Sequence, residues 1–187
     1  MIGKGKSISH GVAALEYDLA KEINGQAVAT EIARHELYGC TGAEMVQEMK
    51  PYHIDFPNVK NNCLRFEVSP SIEESATFTD ADWAELGNDF MQRMGLANHQ
   101  YIIIRHSGTE SKKEQAHLHI LANRVSLSGE LYRDNWIGKK ATEAANAIAK
   151  ERNFVQSQDI GKVNKAEIKE AMDGVLKKMQ GFDFTKF

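Results

Sequence analysis

The sequence predicts an α+β fold in which a central, mostly antiparallel sheet is flanked by helices, with further helices at the C-terminal end. Three observations favour this class. Residues 63–69 alternate apolar and polar side chains with the two-residue period of a half-buried strand. Residues 100–106 form a β-branched run that is typical of a central strand. Helical apolar stripes stand before and after these strands, so we expect helices to cover the sheet.

Periodicity and capping residues justify the elements of the first half. Ser9 can cap a helix from about residue 10 to residue 23, whose apolar stripe is Val12, Leu15, Leu19 and Ile23. Residues 41–49 predict a second, short helix, and the segment 50–62, which carries two of the three prolines, predicts a loop. The strand at residues 63–69 places Leu64, Phe66 and Val68 on its apolar face.

The second half begins with a helix that Thr79 opens, with Asp82 at the capping-box position, and that Gly95 ends. Its apolar stripe is Trp83, Leu86, Phe90 and Met94. Three strands are predicted next, at residues 100–106, 116–125 and, after a glycine-containing turn, within 126–132. Helices follow at about 139–153 and 165–180.

Composition limits the class of protein. The 187 residues, 42% hydrophobic and 26% charged, suit one soluble domain with a sizeable core. There is no hydrophobic leader or membrane-length apolar run, and two cysteines form no disulfide framework, so we expect a cytoplasmic protein without membrane insertion. A net charge of −3 means that a polyanionic partner must be held by a local positive field. The abrupt apolar end, "GFDFTKF", suggests a chain cut from a longer protein.

Three of the seven histidines fall within "HSGTESKKEQAHLHILANR", residues 106–124. His117 and His119 alternate on a strand, so they share a face at about 6.6 Å along the axis. If the preceding strand pairs alongside, His106 at its end lies near both. Three convergent imidazoles with open positions are typical of a catalytic metal site. The alternative is a pair of strand histidines that face solvent.

The expected cofactor is a divalent metal ion. Neutral imidazoles leave its charge uncompensated, which favours an anionic ligand such as a phosphodiester. An all-nitrogen donor set favours zinc, whereas phosphate oxygens that complete the coordination suit magnesium or manganese, and the sequence leaves this open. Glu67 either accepts an imidazole N–H or is a solvated charge on an exposed sheet face, and Ser69 either donates to a phosphate or shapes the turn at Pro70.

Tyr17 lies roughly 140° from the apolar stripe of its predicted helix, on the side of Lys21. A tyrosine that served the core would not point there. A phenol beside a cation suits nucleophilic attack, because its pKa near 10 must fall for the phenolate to form near neutrality.

Three motifs together resemble those of the MobA-type relaxases, the mobilisation nucleases within the HUH endonucleases. They are "KSISHGVAALEYDLAKE", "LRFEVSPS" and the histidine motif with its trailing Asn-Arg, and the resemblance covers about residues 1–155. It implies a nuclease domain over residues 1–155 and a C-terminal helical extension over 156–187. Where the family commonly has an acidic residue two positions after the first histidine, this chain has Gly108, so either Glu110 takes that role or the role is absent.

By this resemblance Tyr17 matches the nucleophile, and His106, His117 and His119 match the metal ligands. The implied substrate is one DNA strand, unpaired, at an origin of transfer, and the implied product is a 5′-phosphotyrosine beside a free 3′-hydroxyl. Accessory mobilisation proteins are the expected further partners. The candidate DNA-binding residues are Asn123, Arg124, Lys112, Lys113, Arg133, Lys139 and Lys140, with Lys4, Lys6, Tyr132 and Trp136 as further candidates.

Three other interpretations fit part of the pattern. A histidine-triad nucleotide hydrolase needs a third alternating histidine, where this chain has Leu121. A replication-initiator HUH nuclease shares the histidines but typically places its tyrosine after them, whereas Tyr17 precedes them. A DNA-binding or scaffold domain without enzymatic activity predicts that a metal chelator changes nothing.

Overall fold

The computed structural model describes residues 1–108 and 115–179. The strands are β1 (Ile2–Ile8), β2 (Glu22–Ile23), β3 (Gln26–Ala27), β4 (Ala29–His35), β5 (Cys63–Ser69), β6 (His99–His106) and β7 (His117–Ser126). The helices are α1 (Gly11–Leu19), α2 (Gly42–Met49), α3 (Ile72–Ser75), α4 (Asp80–Arg93), α5 (Ile137–Glu151) and α6 (Ser157–Met179), with a short 3₁₀ turn at Lys50–His53.

Five strands form one sheet in the order β1-β5-β7-β6-β4, and every neighbouring pair is antiparallel. The two-residue strands β2 and β3 pair separately. β1 and β4 are therefore the two edges, and β5, β7 and β6 lie between them. The predicted α+β class with a central antiparallel sheet is confirmed.

Helices cover both faces of the sheet. On one face α4 and α5 pack against Leu64, Phe66 and Val68 of β5 in the larger apolar cluster. The predicted stripe of α4 is buried there, and Thr79 with Asp82 forms the predicted capping box. On the other face α1 and α2 pack in a second cluster over part of the sheet.

The edge strand β1 was not predicted from the sequence, because its positions toward α5 are glycines rather than apolar side chains. A Cβ atom added at Gly3 would lie 2.4 Å from the Ala141 carbonyl oxygen, and one at Gly5 would lie 2.8 Å from Phe66. The missing side chains let α5 approach the strand closely, which removes the alternating pattern on which strand prediction depends.

Other boundaries differ from the predictions. β4 was not predicted, because its mostly polar sequence lies at a sheet edge, and the expected edge strand within 126–132 is a single bridge from Val125 to Leu131. The first helix ends at Leu19, and its buried face includes Asp18, while Val12 of the predicted stripe is 40% exposed.

The last helix, α6, starts at Ser157, earlier than predicted. Its apolar side chains Ile168, Met172 and Val175 lie in helical register, as expected, and are exposed. Across the described parts of the chain, none of the helices combines the length and the apolar character that crossing a membrane requires.

Candidate metal centre

Three histidines meet where β6 and β7 lie side by side. His106 ends β6 directly opposite His117, while His119 lies opposite Ile104. The ring centroids are 4.4, 4.9 and 5.4 Å apart, and the Nε2 atoms of His117 and His119 are separated by 3.1 Å. One ring nitrogen of each histidine lies within 4.8 Å of the other two. The convergence that the alternating spacing predicts is confirmed.

Hydrogen bonds to backbone carbonyls orient two of the rings. His117 Nδ1 donates to the Gln115 oxygen at 3.0 Å, and His106 Nε2 donates to the Asp18 oxygen at 2.7 Å. Because a carbonyl only accepts, the bonded nitrogen carries the proton and the other ring nitrogen keeps its lone pair. Bonds of this kind fix the tautomer and orientation of histidines that bind metals.

The third ring, His119, lies beside a pair of opposite charges. Arg65 reaches Asp18 with two hydrogen bonds, of 2.5 and 3.1 Å, and the Asp18 side chain is 2% exposed. The Nδ1 atom of His119 is 3.3 Å from the Arg65 guanidinium and 3.6 Å from Asp18 Oδ1. The guanidinium can donate to an unprotonated Nδ1, whereas the carboxylate can accept from a protonated one. A metal ion on Nε2 would leave the proton on Nδ1, which faces the Asp18 carboxylate at ion-pair distance.

The electrostatics suit a cation bound by neutral imidazoles. Burial, together with the neighbouring His106 and His117, lowers the pKa of His119 to about 2, and burial also lowers the pKa of His106. Two nitrogens that bind one ion at about 2.1 Å are about 3.0 to 3.4 Å apart. The 3.1 Å between His117 and His119 matches this separation. Burial also raises the pKa of Asp18, against the opposing effect of Arg65. The donor set fits a divalent metal ion.

Tyr17 lies on the exposed side of α1, as the helical projection predicts, with 57% of its surface accessible. Lys21 Nζ donates to its hydroxyl at 2.6 Å and lies 4.8 Å from the ring centroid. The charge of Lys21 also contributes to the lowered pKa of both His106 and His119. Asp18, the residue after Tyr17, binds His106 through its carbonyl, so the phenol, the ammonium and the histidine cluster belong to one region of the structure.

This geometry agrees with a family assignment. A family model for relaxases, the MobA/VirD2-like nuclease domain, matches residues 17–154. The chain belongs to this family. The match begins at Tyr17 and contains all three histidines, and it confirms the resemblance drawn from the sequence motifs.

No curated protein matches the chain. Among solved structures, the relaxase domain is similar to the conjugative relaxase TrwC in complex with oriT DNA, a metal-bound structure, with 12% identity and a TM-score of 0.48. The similarity covers 86% of this chain and 70% of that one.

Of the two interpretations of Glu67, the structure agrees with the charge on the sheet face rather than with the acceptor for an imidazole N–H. Its carboxylate pairs with Lys4 at 2.9 Å, and the place beside His119 Nδ1 is taken by Asp18. Glu67 is opposite His119 in the sheet register, and both line a pocket of about 210 Å³ together with Lys4, Lys6 and Arg65. Glu67 therefore belongs to the wall of the site rather than to the support of an imidazole.

Asn123 and Arg124 form hydrogen bonds with other residues of the relaxase domain itself. Asn123 is fully buried and bonds to the His53 ring, the Gln100 side chain and the Met49 carbonyl. Arg124 donates to the Tyr132 and Asn61 carbonyls and pairs with Asp134 at 2.7 Å. Both residues connect the C-terminal part of β7 to neighbouring loops. Because Asn123 is fully buried, its side chain is not accessible to DNA.

The other candidate DNA-binding residues divide between two regions. Arg133 and Lys139 are exposed and Lys140 is half-buried, around the start of α5. Lys4 and Lys6 are exposed on β1, beside the pocket at His119. Lys112, Lys113 and Glu110 lie outside the residues that the structure describes.

The site also includes an acidic residue, Asp18, that was not predicted from the sequence. Its carbonyl binds His106, and its carboxylate faces Arg65 and His119. One signal was present: Asp18 lies three residues after Leu15, and α1 buries both residues. A carboxylate on the buried side of a helix usually has a partner of opposite charge.

Proposed function

We propose that this chain is a relaxase that cuts and rejoins one DNA strand at an origin of transfer of a mobile element. Residues 1–155 would form the nuclease unit, and 156–187 a helical extension. Tyr17 is the nucleophile, and His106, His117 and His119 hold a divalent metal ion, magnesium or manganese, with zinc as the alternative. The observation that carries the proposal is the hydrogen bond from His106 to the Asp18 carbonyl, because it fixes the residue next to Tyr17 against the histidine cluster.

Tyr17 is suited to attack because it is exposed and lies beside a cation. The Lys21 ammonium donates a hydrogen bond to the phenol oxygen at 2.6 Å. The exposure of Tyr17 leaves room for a phosphodiester to approach its oxygen. These are the two properties that a tyrosine nucleophile needs near neutral pH.

The bond changes balance without an external reactant. The phenolate oxygen forms a bond to phosphorus while the bond from phosphorus to the 3′-oxygen breaks. The phenol proton passes to solvent, and the departing 3′-oxygen takes up a proton, which leaves a 5′-phosphotyrosine and a 3′-hydroxyl. A bound metal ion would polarise the scissile phosphate and offset the charge that develops on its oxygens. One phosphate ester replaces another, so attack by a 3′-hydroxyl reverses the reaction and reseals the strand.

The test is the formation of a covalent protein–DNA adduct. A pool of randomised single-stranded oligonucleotides, labelled at the 3′ end, is incubated with the full chain and MnCl₂ and resolved under denaturing conditions. We expect a labelled adduct that EDTA prevents and that Tyr17→Phe abolishes. Tyr38→Phe is the matched control, since Tyr38 is an exposed tyrosine that bonds to Glu36, away from the histidines, and it should leave the adduct unchanged.

An adduct that persists in Tyr17→Phe would assign the attack to another residue, which peptide mapping would identify. An adduct that forms equally in EDTA would remove the metal from the mechanism. Complete absence of an adduct in the wild-type chain, with DNA binding intact, would favour the DNA-binding or scaffold interpretation.

A further inference from the structure

The fold leaves the large aromatic side chain of Trp136 unburied. It is 80% exposed, at the residue before α5, and its φ of 59° lies in the left-handed region that bulky residues rarely adopt. The backbone therefore holds a large apolar ring in solvent in an unfavourable conformation. Strain of this kind persists where the surrounding structure imposes it, and it is concentrated at binding sites.

The surroundings of this ring are cationic. Trp136 lines a shallow pocket with Lys139, Lys140 and Glu143, and Arg133 is exposed three residues earlier. Glu143 is 3.8 Å from Lys139 and is the one acidic residue in the lining of the pocket. An accessible indole among three cations has the composition of a surface that stacks a base and holds the phosphates beside it.

The strand β1 connects this surface with the histidine cluster. Gly138, two residues after Trp136, lies against the Gly5 carbonyl, since a Cβ there would be 3.5 Å from that oxygen. Gly5 in turn lines the pocket at His119. Lys4, beside Gly5, is two strands from His119 in the sheet register, about 10 Å away. A nucleic-acid strand at the histidines can thus reach Trp136 by crossing one edge strand.

We propose that a single DNA strand leaves the histidine cluster over Lys4 and the edge of β1, and that Trp136 stacks on one of its bases outside the catalytic centre. Arg133 and Lys139 contact the phosphates next to that base. This inference rests on the proposed function in taking single-stranded DNA as the ligand. The ligand is single-stranded because a paired and stacked base offers no free face to an indole.

The test uses the full chain in EDTA, with oligothymidylate as the probe, so that binding is measured without cleavage. Trp136→Ala should raise the Kd for oligothymidylate about tenfold, while Trp136→Phe keeps most of the affinity. Tyr38→Ala is the matched control, because Tyr38 is an equally accessible aromatic that follows β4, at the opposite edge of the sheet, and its Kd should equal that of the wild type.

Tryptophan fluorescence distinguishes stacking from a purely structural role of Trp136, because a structural role would leave the emission unchanged when DNA is added. The chain has two tryptophans, and Trp83 is 2% exposed in the core. Addition of oligothymidylate should quench the wild-type emission, and Trp136→Phe, in which Trp83 alone emits, should lose that quenching. Unquenched wild-type emission at saturating DNA, or an unchanged Kd in Trp136→Ala, overturns the proposal.

The two proposals fail separately. Tyr17→Phe should bind oligothymidylate with quenching like the wild type, since Trp136 acts without the nucleophile. Quenching without an adduct at any metal concentration would reject the nicking activity and leave the stacking site standing. Adduct formation with unquenched emission would reject the stacking site and leave the nicking activity standing. Equal affinity for oligothymidylate and for a duplex of mixed sequence would also overturn the single-strand assignment.

Discussion

Replacement of Asp18 by asparagine tests how the histidine cluster is held. The substitution keeps the size of the side chain and leaves the backbone carbonyl that binds His106, but it removes the carboxylate that faces His119 Nδ1. Loss of one such outer partner typically reduces metal affinity by about 10- to 100-fold. We expect the lower part of this range, about tenfold or 1.4 kcal/mol, because the bond to His106 survives.

The same substitution should destabilise the fold. It leaves the Arg65 guanidinium without its charged partner, and removal of one member of a buried pair costs about 3–5 kcal/mol. Arg65 is 20% exposed, and the neutral amide of the variant avoids the desolvation that raises the pKa of the Asp18 carboxyl, so we expect about 2 kcal/mol. For a chain of this length that lowers Tm by roughly 4–8 °C.

The assay is calorimetric titration of the metal-free chain with MnCl₂, paired with a thermal melt followed by circular dichroism. Glu67→Gln is the matched control: the hydrogen bond of the Glu67 carboxylate goes to Lys4 rather than to an imidazole, so both metal affinity and Tm should stay near the wild-type values. Wild-type affinity in a folded Asp18→Asn, or a tenfold loss in Glu67→Gln, would refute the assignment of the outer partner to Asp18.

Two further predictions concern stability. The pKa values of His99, His106 and His119 are lowered in the folded chain, so the stability that their neutral rings contribute is present above pH 6.5 and is lost as the pH falls below it. For His119, whose pKa is about 2, the free energy of unfolding should fall by about 2 kcal/mol between pH 7 and pH 5. Urea denaturation in EDTA at both pH values measures this, and equal stabilities would contradict it. Gly3→Ala should cost about 1–3 kcal/mol in the same assay, since its Cβ would lie 2.4 Å from the Ala141 carbonyl, whereas Gly138→Ala, with 3.5 Å of space, should not destabilise.

The histidine cluster could be predicted from the sequence because its geometry is nearly local. Alternation on one strand fixes the relative placement of His117 and His119, and antiparallel pairing with the preceding strand adds His106. The exposure of Tyr17 likewise follows from helical projection alone. Features that depend on one short segment, or on two consecutive strands, leave a pattern that can be recognised before the fold is known.

Features that depend on distant partners leave no such pattern. Asp18 is buried because Arg65, 47 residues away, reaches it from β5. β1 is a strand because its glycines admit α5, which lies more than 130 residues later in the chain. Asn123 is a third example: in the sequence, a polar residue behind the histidine pair suits DNA contact as well as the internal network with His53 in which the structure places it.

The hydrogen bond between His106 and the Asp18 carbonyl has a mechanical consequence. Tyr17 and Asp18 are consecutive residues of the short helix α1. The phenol of Tyr17 and the Asp18 groups that face His106 and His119 therefore move together with this helix. Any displacement of α1 that draws the phenol away also loosens the imidazoles, and repacking beneath α1 would alter both together. Under the proposed function, a displacement of α1 would therefore disturb the nucleophile and two of the metal ligands together.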